Sequence, residues 1–168
     1  MVLETERTLI RHFVSEDFAD LHEIFSDSLV MRNTEAAYDK NKTRMFLEGF
    51  CITEKRALAV IHKEDKKLIG YALFSDRLEP DVYEIGWIFN KDYWRKGLAF
   101  ESMSALVKYA FRELGAHKVF AEAIDDVKSV GLMKKLGMSH EGTQTQQLRD
   151  QEGQWRDLFF YGLLREHA

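Results

Sequence analysis

The stretch YWRKGLAFESMSALVKYAF, residues 93–111, sets two adjacent cations and a glycine just before a long amphipathic segment. Ala99, Met103, Leu106, Val107, Ala110, Phe111 and Leu114 recur at spacings of three and four, which predicts a helix over 98–114 that Gly115 stops. The first turn of a helix leaves several backbone N–H groups unpaired, and the peptide dipoles add about half a positive charge there. Gly97 permits close approach, and Arg95 and Lys96 add charge. Such a turn suits a phosphate or diphosphate, although a solvated basic turn before a core helix has the same composition.

Upstream, RTLIRHFV (7–14) alternates weakly and predicts a strand. SEDFADLHEIFSD follows as a helix with Ser15 as N-cap and Phe18, Leu21, Ile24 and Phe25 on one face. A second helical pattern covers 39–55, and LVMRNTEAAY between the two is expected to be a mobile surface loop. From Ala57 the period changes. RALAVIHK, LIGYALFSD and VYEIGWIFN are rich in β-branched and aromatic residues and are separated by turn-forming KEDKK and RLEPD, so an antiparallel meander is expected. KVFAEAI predicts a fourth strand of this set. DDVKSVGLMKKLG predicts a short helix, with Asp125 or Asp126 as cap and Gly137 as stop. MSHEGTQTQQLR and QWRDLFFYGLL, joined by DQEG, close the chain as a hairpin. Together these elements specify one α/β domain over 1–168, built on a mixed sheet.

A net charge of −4 argues against nucleic acid or an anionic membrane as partner of the whole surface, while leaving room for a local anion site. Cys51 is the single cysteine, so no internal disulfide forms; it is expected to be a small core hydrophobe. No run has signal-peptide or membrane-spanning character, and a cytoplasmic location is expected. The six histidines show no metal-ligand spacing, so no metal is expected. There is no G-x-x-x-x-G-K-[ST] and no G-x-G-x-x-G with a following acidic residue, which disfavours an ATPase, a kinase or an NAD enzyme.

KDYWRKGLAFESMSALVKYAFRELGAHKV, preceded by YEIGWIF and followed by KKLGMSHEG, resembles the GNAT (GCN5-related) N-acetyltransferases. More narrowly it resembles the branch of ribosomal-protein N-terminal alanine and serine acetyltransferases, whose beginning and end are also similar to LETERTLIRHFVSEDFADL and QWRDLFFYGLLRE. The resemblance implies a mostly antiparallel sheet with two splayed parallel strands at its centre, VYEIGWIF and KVFAEAI, flanked by helices. It implies acetyl-CoA (coenzyme A) as cosubstrate. The CoA diphosphate would lie on Arg95, Lys96, Gly97, Leu98, Ala99 and Phe100, and the pantetheine arm would pair with Ile88 and Phe89. Trp94 and Arg95 stand where the family commonly has Gln or Arg and Gly. Asp126 stands where the branch often has Asn, in contact with the pantetheine arm. Met133 replaces a family Tyr, which leaves Ser129 as the nearby donor toward the departing thiolate. Lys135 is expected near the CoA 3′-phosphate.

Acetyl transfer to an amine needs a neutral nitrogen, a polarised thioester and a path for one proton. A lysine-type amine is neutral about once in 10³ molecules at pH 7, and an α-amine about one time in ten, so an α-amine asks less of a base. The resemblance points to Glu84 as that base, a role that partial desolvation would suit; an exposed strand carboxylate or an anchor for the substrate ammonium are the alternatives. A backbone N–H near Ile88 would polarise the thioester oxygen. Trp87, Tyr38, Tyr71, Phe74 and Tyr83 are candidates to line an acceptor pocket, Trp87 only if a bulge turns it toward the face of Glu84. The expected partner is an amine-bearing small molecule or a protein N-terminus, with a homodimer through the C-terminal strands also in view. A non-catalytic acyl-CoA-binding module is the rival reading.

Overall fold

The structure is a computed structural model describing residues 1–168, the side chain of Arg77 excepted. Among the described residues one sheet contains eight strands, β1 (Val2–Glu4), β2 (Thr8–His12), β3 (Ala57–His62), β4 (Lys67–Glu79), β5 (Val82–Phe89), β6 (Lys118–Ala123), β7 (Ser139–Arg149) and β8 (Trp155–Leu164). Their order across the sheet is β1-β2-β3-β4-β5-β6-β8-β7. Neighbours are antiparallel except β5 and β6 at the centre, which are parallel. Strand β1 was not expected: three residues are too few to show alternation.

Four α-helices cover the two faces. Helices α1 (Phe18–Phe25) and α2 (Lys40–Phe46, continued as a π-helix over Leu47–Thr53) lie on one side. Helices α3 (Leu98–Arg112) and α4 (Lys128–Lys135) lie on the other. Alternation along β3 builds both layers: Leu58 and Val60 join Met103, Leu106 and Ala110 of α3, whereas Ala57 and Ala59 join Leu21, Ile24 and Phe25 of α1. Register shifts at Val60/Ile61, where β4 gains one residue, and both Ile69 and Ala72 then reach the α3 layer. Gly70 lies within this irregularity, and a Cβ there would come within 2.7 Å of the Phe89 ring, so only glycine fits.

Three local expectations change. Ser15 is not a helix cap; it begins a 3-10 turn (Ser15–Asp17), and the carboxylate of Asp17 accepts the Val14 N–H at 2.9 Å. Asp17 also accepts two hydrogen bonds from Arg11, each 2.8 Å, which ties the start of α1 to β2. The segment after α1 is not purely surface, because Met31 is 2% exposed and belongs to the core. That segment is pinned at 2.7 Å by the ion pair of Asp27 with Lys91, just beyond β5.

Candidate active site

The turn before α3 holds its backbone in an unusual shape. Gly97 has φ +76°, and Arg95, a non-glycine residue, has φ +60°. Two left-handed residues flanking Lys96 turn the chain sharply, and the first rung of the helix ladder is Glu101 N–H to Gly97 C=O at 3.0 Å. The amides of residues 95–100 have no backbone acceptor among the described residues, so they remain free for an anion. The Lys96 carbonyl, which would repel an anion, instead accepts from Arg7 Nη1 at 2.8 Å. Arg7 Nε also donates to Glu101 Oε2 at 2.8 Å, and the Arg7 amide and Thr5 hydroxyl both donate to Glu101 Oε1, at 2.7 and 2.5 Å. Burial lifts the Glu101 carboxyl, but these donors outweigh it and hold it below its ordinary value. The β1–β2 hairpin is thus a brace for the turn.

The parallel strands part early. Pairing of β5 with β6 runs only from Val82–Glu84 against Lys118–Phe120. Beyond Glu84 the edge of β5 facing β6 is open. Asn90 N–H donates to Ile69 O of β4 at 2.8 Å, so by alternation the peptide groups of Glu84, Gly86 and Ile88 point to β4, and those of Ile85, Trp87 and Phe89 point into the cleft. This corrects the expectation at Ile88: the cleft-facing amides flanking it belong to Trp87 and Phe89. The Phe89 carbonyl is taken by Trp94 Nε1 at 2.8 Å, which ties the phosphate-type turn to the end of β5.

Side chains of β5 sort onto the two faces without a bulge, since register with β4 is continuous from Glu84 to Phe89. Trp87 packs in the α3 layer, opposite Glu84, so its indole is not an acceptor-pocket wall. Phe74 and Tyr83 belong to that same layer, stacked on each other at 4.5 Å. Glu84 faces the α1/α2 side, half-buried. Its direct partner on β4 is Ser75, whose hydroxyl accepts from Arg56 Nε at 3.2 Å. Burial raises the Glu84 carboxyl above its ordinary value, Glu122 of β6 adds to the rise and Arg56 opposes it; burial raises Glu122 as well. On this face Phe25, Met31, Thr34, Glu35, Tyr38, Phe46, Tyr71 and Ile88 line an open cleft of about 280 Å³. The Tyr38 hydroxyl donates to Glu35, and burial first, then Glu35, raises the phenol. Burial also pushes the Tyr71 phenol up, with smaller contributions from Cys51, Tyr38 and Glu84. Cys51 is fully buried and its thiol is pushed up to about 12, the inert core residue expected.

The Acetyltransferase (GNAT) domain model matches residues 7–139, from the brace through β7's first residue. The chain belongs to the GNAT acetyltransferase family. It is 32% identical to the uncharacterized N-acetyltransferase YnaD of Bacillus subtilis (strain 168), over 99% of this chain and 98% of that protein. The crystal structure of a GNAT-family acetyltransferase from Bacillus anthracis superposes with a TM-score of 0.90 at 32% identity, covering 99% of each chain. A shorter match, 31% over 97 residues (56% of this chain and 50% of that protein), is to the [Ribosomal protein uS5]-alanine N-acetyltransferase of Escherichia coli (strain K12). The protein is an N-acetyltransferase with the splayed sheet of the GNAT fold, and among the described residues no helix is long and apolar enough to cross a membrane.

In this GNAT protein the second helix of the site, α4, settles which of its two expected caps acts. Asp125, not Asp126, caps it: its Oδ1 accepts from Val127 N–H at 2.9 Å and Lys128 N–H at 3.1 Å. Asp126 is exposed. Ser129 is half-buried in the first turn, and Met133 is buried in the α3 layer. Lys128 stands over the Trp94 ring at 4.8 Å, next to the diphosphate-type turn, while Lys135 is two turns away on the same helix and exposed. Lys128 is thus the α4 lysine beside that turn. Sequence reading missed Arg7, Glu101, Arg56, Glu122 and Lys128, since each acts on residues distant in the chain. Only R-T-L-I-R beside the first strand hinted at a cation there.

Proposed function

We propose that the protein transfers the acetyl group of acetyl-CoA to an α-amine by direct attack on the thioester. The observation that carries this reading is the pairing of two features at one point. Free amides at residues 95–100 lie beside a sheet that opens just past Glu84. In this reading the amides of Arg95, Lys96, Gly97, Leu98, Ala99 and Phe100 hold the diphosphate, with Lys128 adding charge. The pantetheine arm lies along the open edge of β5, against the peptide groups of Trp87 and Phe89. The Trp87 N–H polarises the thioester carbonyl. Glu84 takes a proton from the acceptor ammonium, directly or through water, and its raised basicity matches that task. The amine attacks, a C–N bond forms and the C–S bond breaks. The surplus amine proton goes to the departing thiolate, for which Ser129 is the nearest hydroxyl on α4, and the proton on Glu84 passes to solvent.

An α-amine as acceptor is supported by its higher neutral fraction and by the relative named for alanine N-acetylation of ribosomal protein uS5. The test has two parts. Titration calorimetry with acetyl-CoA should show one site, and incubation with acetyl-CoA plus a panel of amines should release free thiol. Binding without thiol release from any amine would favour the acyl-CoA-binding module instead.

A further inference from the structure

Arg56 and Glu84 stand on either side of Ser75 on the α1/α2 face, near enough for each charge to bear on the other and too far apart for an ion pair. Arg56 is firmly held. It directly precedes β3, its carbonyl accepts from Phe74 N–H at 2.9 Å, and its guanidinium lies 4.7 Å over the Phe50 ring. Neither Arg56 nor Glu84 has an ion-pair partner among the described residues. A fixed cation and a fixed anion with a hydroxyl between them match the two ends of a zwitterion. Tyr71, within the field of both, also lines the neighbouring open cleft walled by Phe25, Met31, Glu35, Tyr38 and Phe46. At about 280 Å³ that cleft is just below the ~300–1,000 Å³ of ordinary ligand pockets, which fits one side chain and not a polymer.

We propose that the acceptor is a free α-amino acid with an apolar side chain: Glu84 receives its ammonium, Arg56 its carboxylate, and the aromatic cleft its side chain. This rests on the acetyl-transfer reading above and narrows it. Pairing of the carboxylate with Arg56 also weakens its hold on the amine proton, which eases the proton's passage to Glu84. The product is the N-acetylamino acid and free CoA thiol. A protein N-terminus presents no carboxylate at this position, and a polyamine presents a second cation to Arg56.

The test compares thiol release with L-leucine, L-methionine and L-phenylalanine, with their amides, and with a tripeptide beginning with each. The acids should exceed the amides and peptides in kcat/KM by about tenfold or more, the scale of one charge-assisted hydrogen bond. Arg56→Met, which keeps the apolar stem on Phe50, should collapse the acid-to-amide ratio toward one, and Arg56→Lys should retain part of it. The ratio is read within each variant, so a loss of folded protein does not mimic the result. Equal use of acid and amide by the wild type, or a ratio that survives Arg56→Met, overturns the proposal. Turnover confined to the peptides overturns it and leaves acetyl transfer standing. Absence of acetyl-CoA uptake by calorimetry instead breaks the underlying reading.

Discussion

The two faces that meet at the splay are built by different means. On the α3 side the anion-type turn is a local object: six consecutive residues supply free amides, and a hairpin at the chain's beginning braces them through Arg7 and Glu101. On the α1/α2 side nothing is local. Glu84 comes from β5, Ser75 from β4, Arg56 from the edge of β3, Glu122 from β6 and Tyr38 from the segment after α1. The first design is one of backbone and tolerates changes of side chain. The second is one of individual side chains, each with a single task. Substitutions should therefore act in different currencies on the two sides: affinity for the cosubstrate on one, turnover and choice of acceptor on the other.

The largest effect belongs to Glu84. Replacing it with Gln removes the proton acceptor while keeping shape, and turnover should fall by about 10²-fold or more with acetyl-CoA affinity unchanged in calorimetry. The same variant has a stability signature. Because burial raises the native carboxyl, the folded state binds the proton more tightly than the unfolded chain does. Charged Glu84 is thus a cost to folding at neutral pH, lost as pH falls through its native value. Glu84→Gln should unfold at a higher denaturant midpoint than wild type at pH 7, and the gap should close in acid. A variant equally active but no more stable would take Glu84 out of the chemistry and out of the desolvated site together.

On the other face Arg7→Met deletes the hydrogen bonds to the Lys96 carbonyl and the Glu101 carboxylate. Charge-assisted hydrogen bonds are worth about 1.5–3 kcal/mol, so KM for acetyl-CoA should rise about tenfold or more. S-acetylpantetheine lacks the diphosphate, and its KM should stay level. A matching rise for both donors would mean that Arg7 supports the whole fold rather than the turn.

A smaller effect is expected of Glu122→Gln. After burial, the charge of Glu122 is the next contribution raising Glu84. The acid limb of kcat/KM, which falls as Glu84 takes up its proton, should lie above the ordinary carboxylate range in wild type and move to lower pH in the variant. Rate on the plateau should change little. A fixed limb would show that the two carboxylates do not share one field.

Sequence legibility follows the same division. The parallel pair came from the family resemblance, whereas the meander, α3 and the closing hairpin were readable because period and turn chemistry are local. The turn at residues 95–100 was readable for the same reason. Glu84 was placed by family resemblance and Tyr38 only as one of several aromatic candidates, while Arg56 and Glu122 were invisible, since their relevance depends on cross-strand neighbours such as Ser75 and Phe120. The bulge imagined for Trp87 failed because the irregularities of β4 lie at Val60/Ile61 on one side and beyond Ser75 on the other, not opposite Trp87. Lys128 rather than Lys135 reaches Trp94 because the two lysines share a helix face but stand two turns apart along it.

The smallest effect isolates what Arg95 contributes beyond backbone. Its φ of +60° costs a non-glycine residue about 1–2 kcal/mol, whereas glycine there gives up about 0.5–1 kcal/mol of extra unfolded-state freedom. The two terms largely offset, so Arg95→Gly should shift Tm upward by no more than about 2–4 °C. The amides keep their arrangement, and only a charge is lost near the diphosphate. An exposed charge of this kind is worth about 0.3–1 kcal/mol at low salt and is screened as salt rises. Affinity for acetyl-CoA should therefore drop about two- to fivefold at low ionic strength and converge on wild type at about 1 M salt. A deficit that persists at high salt would mean the arginine shapes the turn rather than charging it, and the anion side of the molecule would then depend on side chains as much as the acceptor side does.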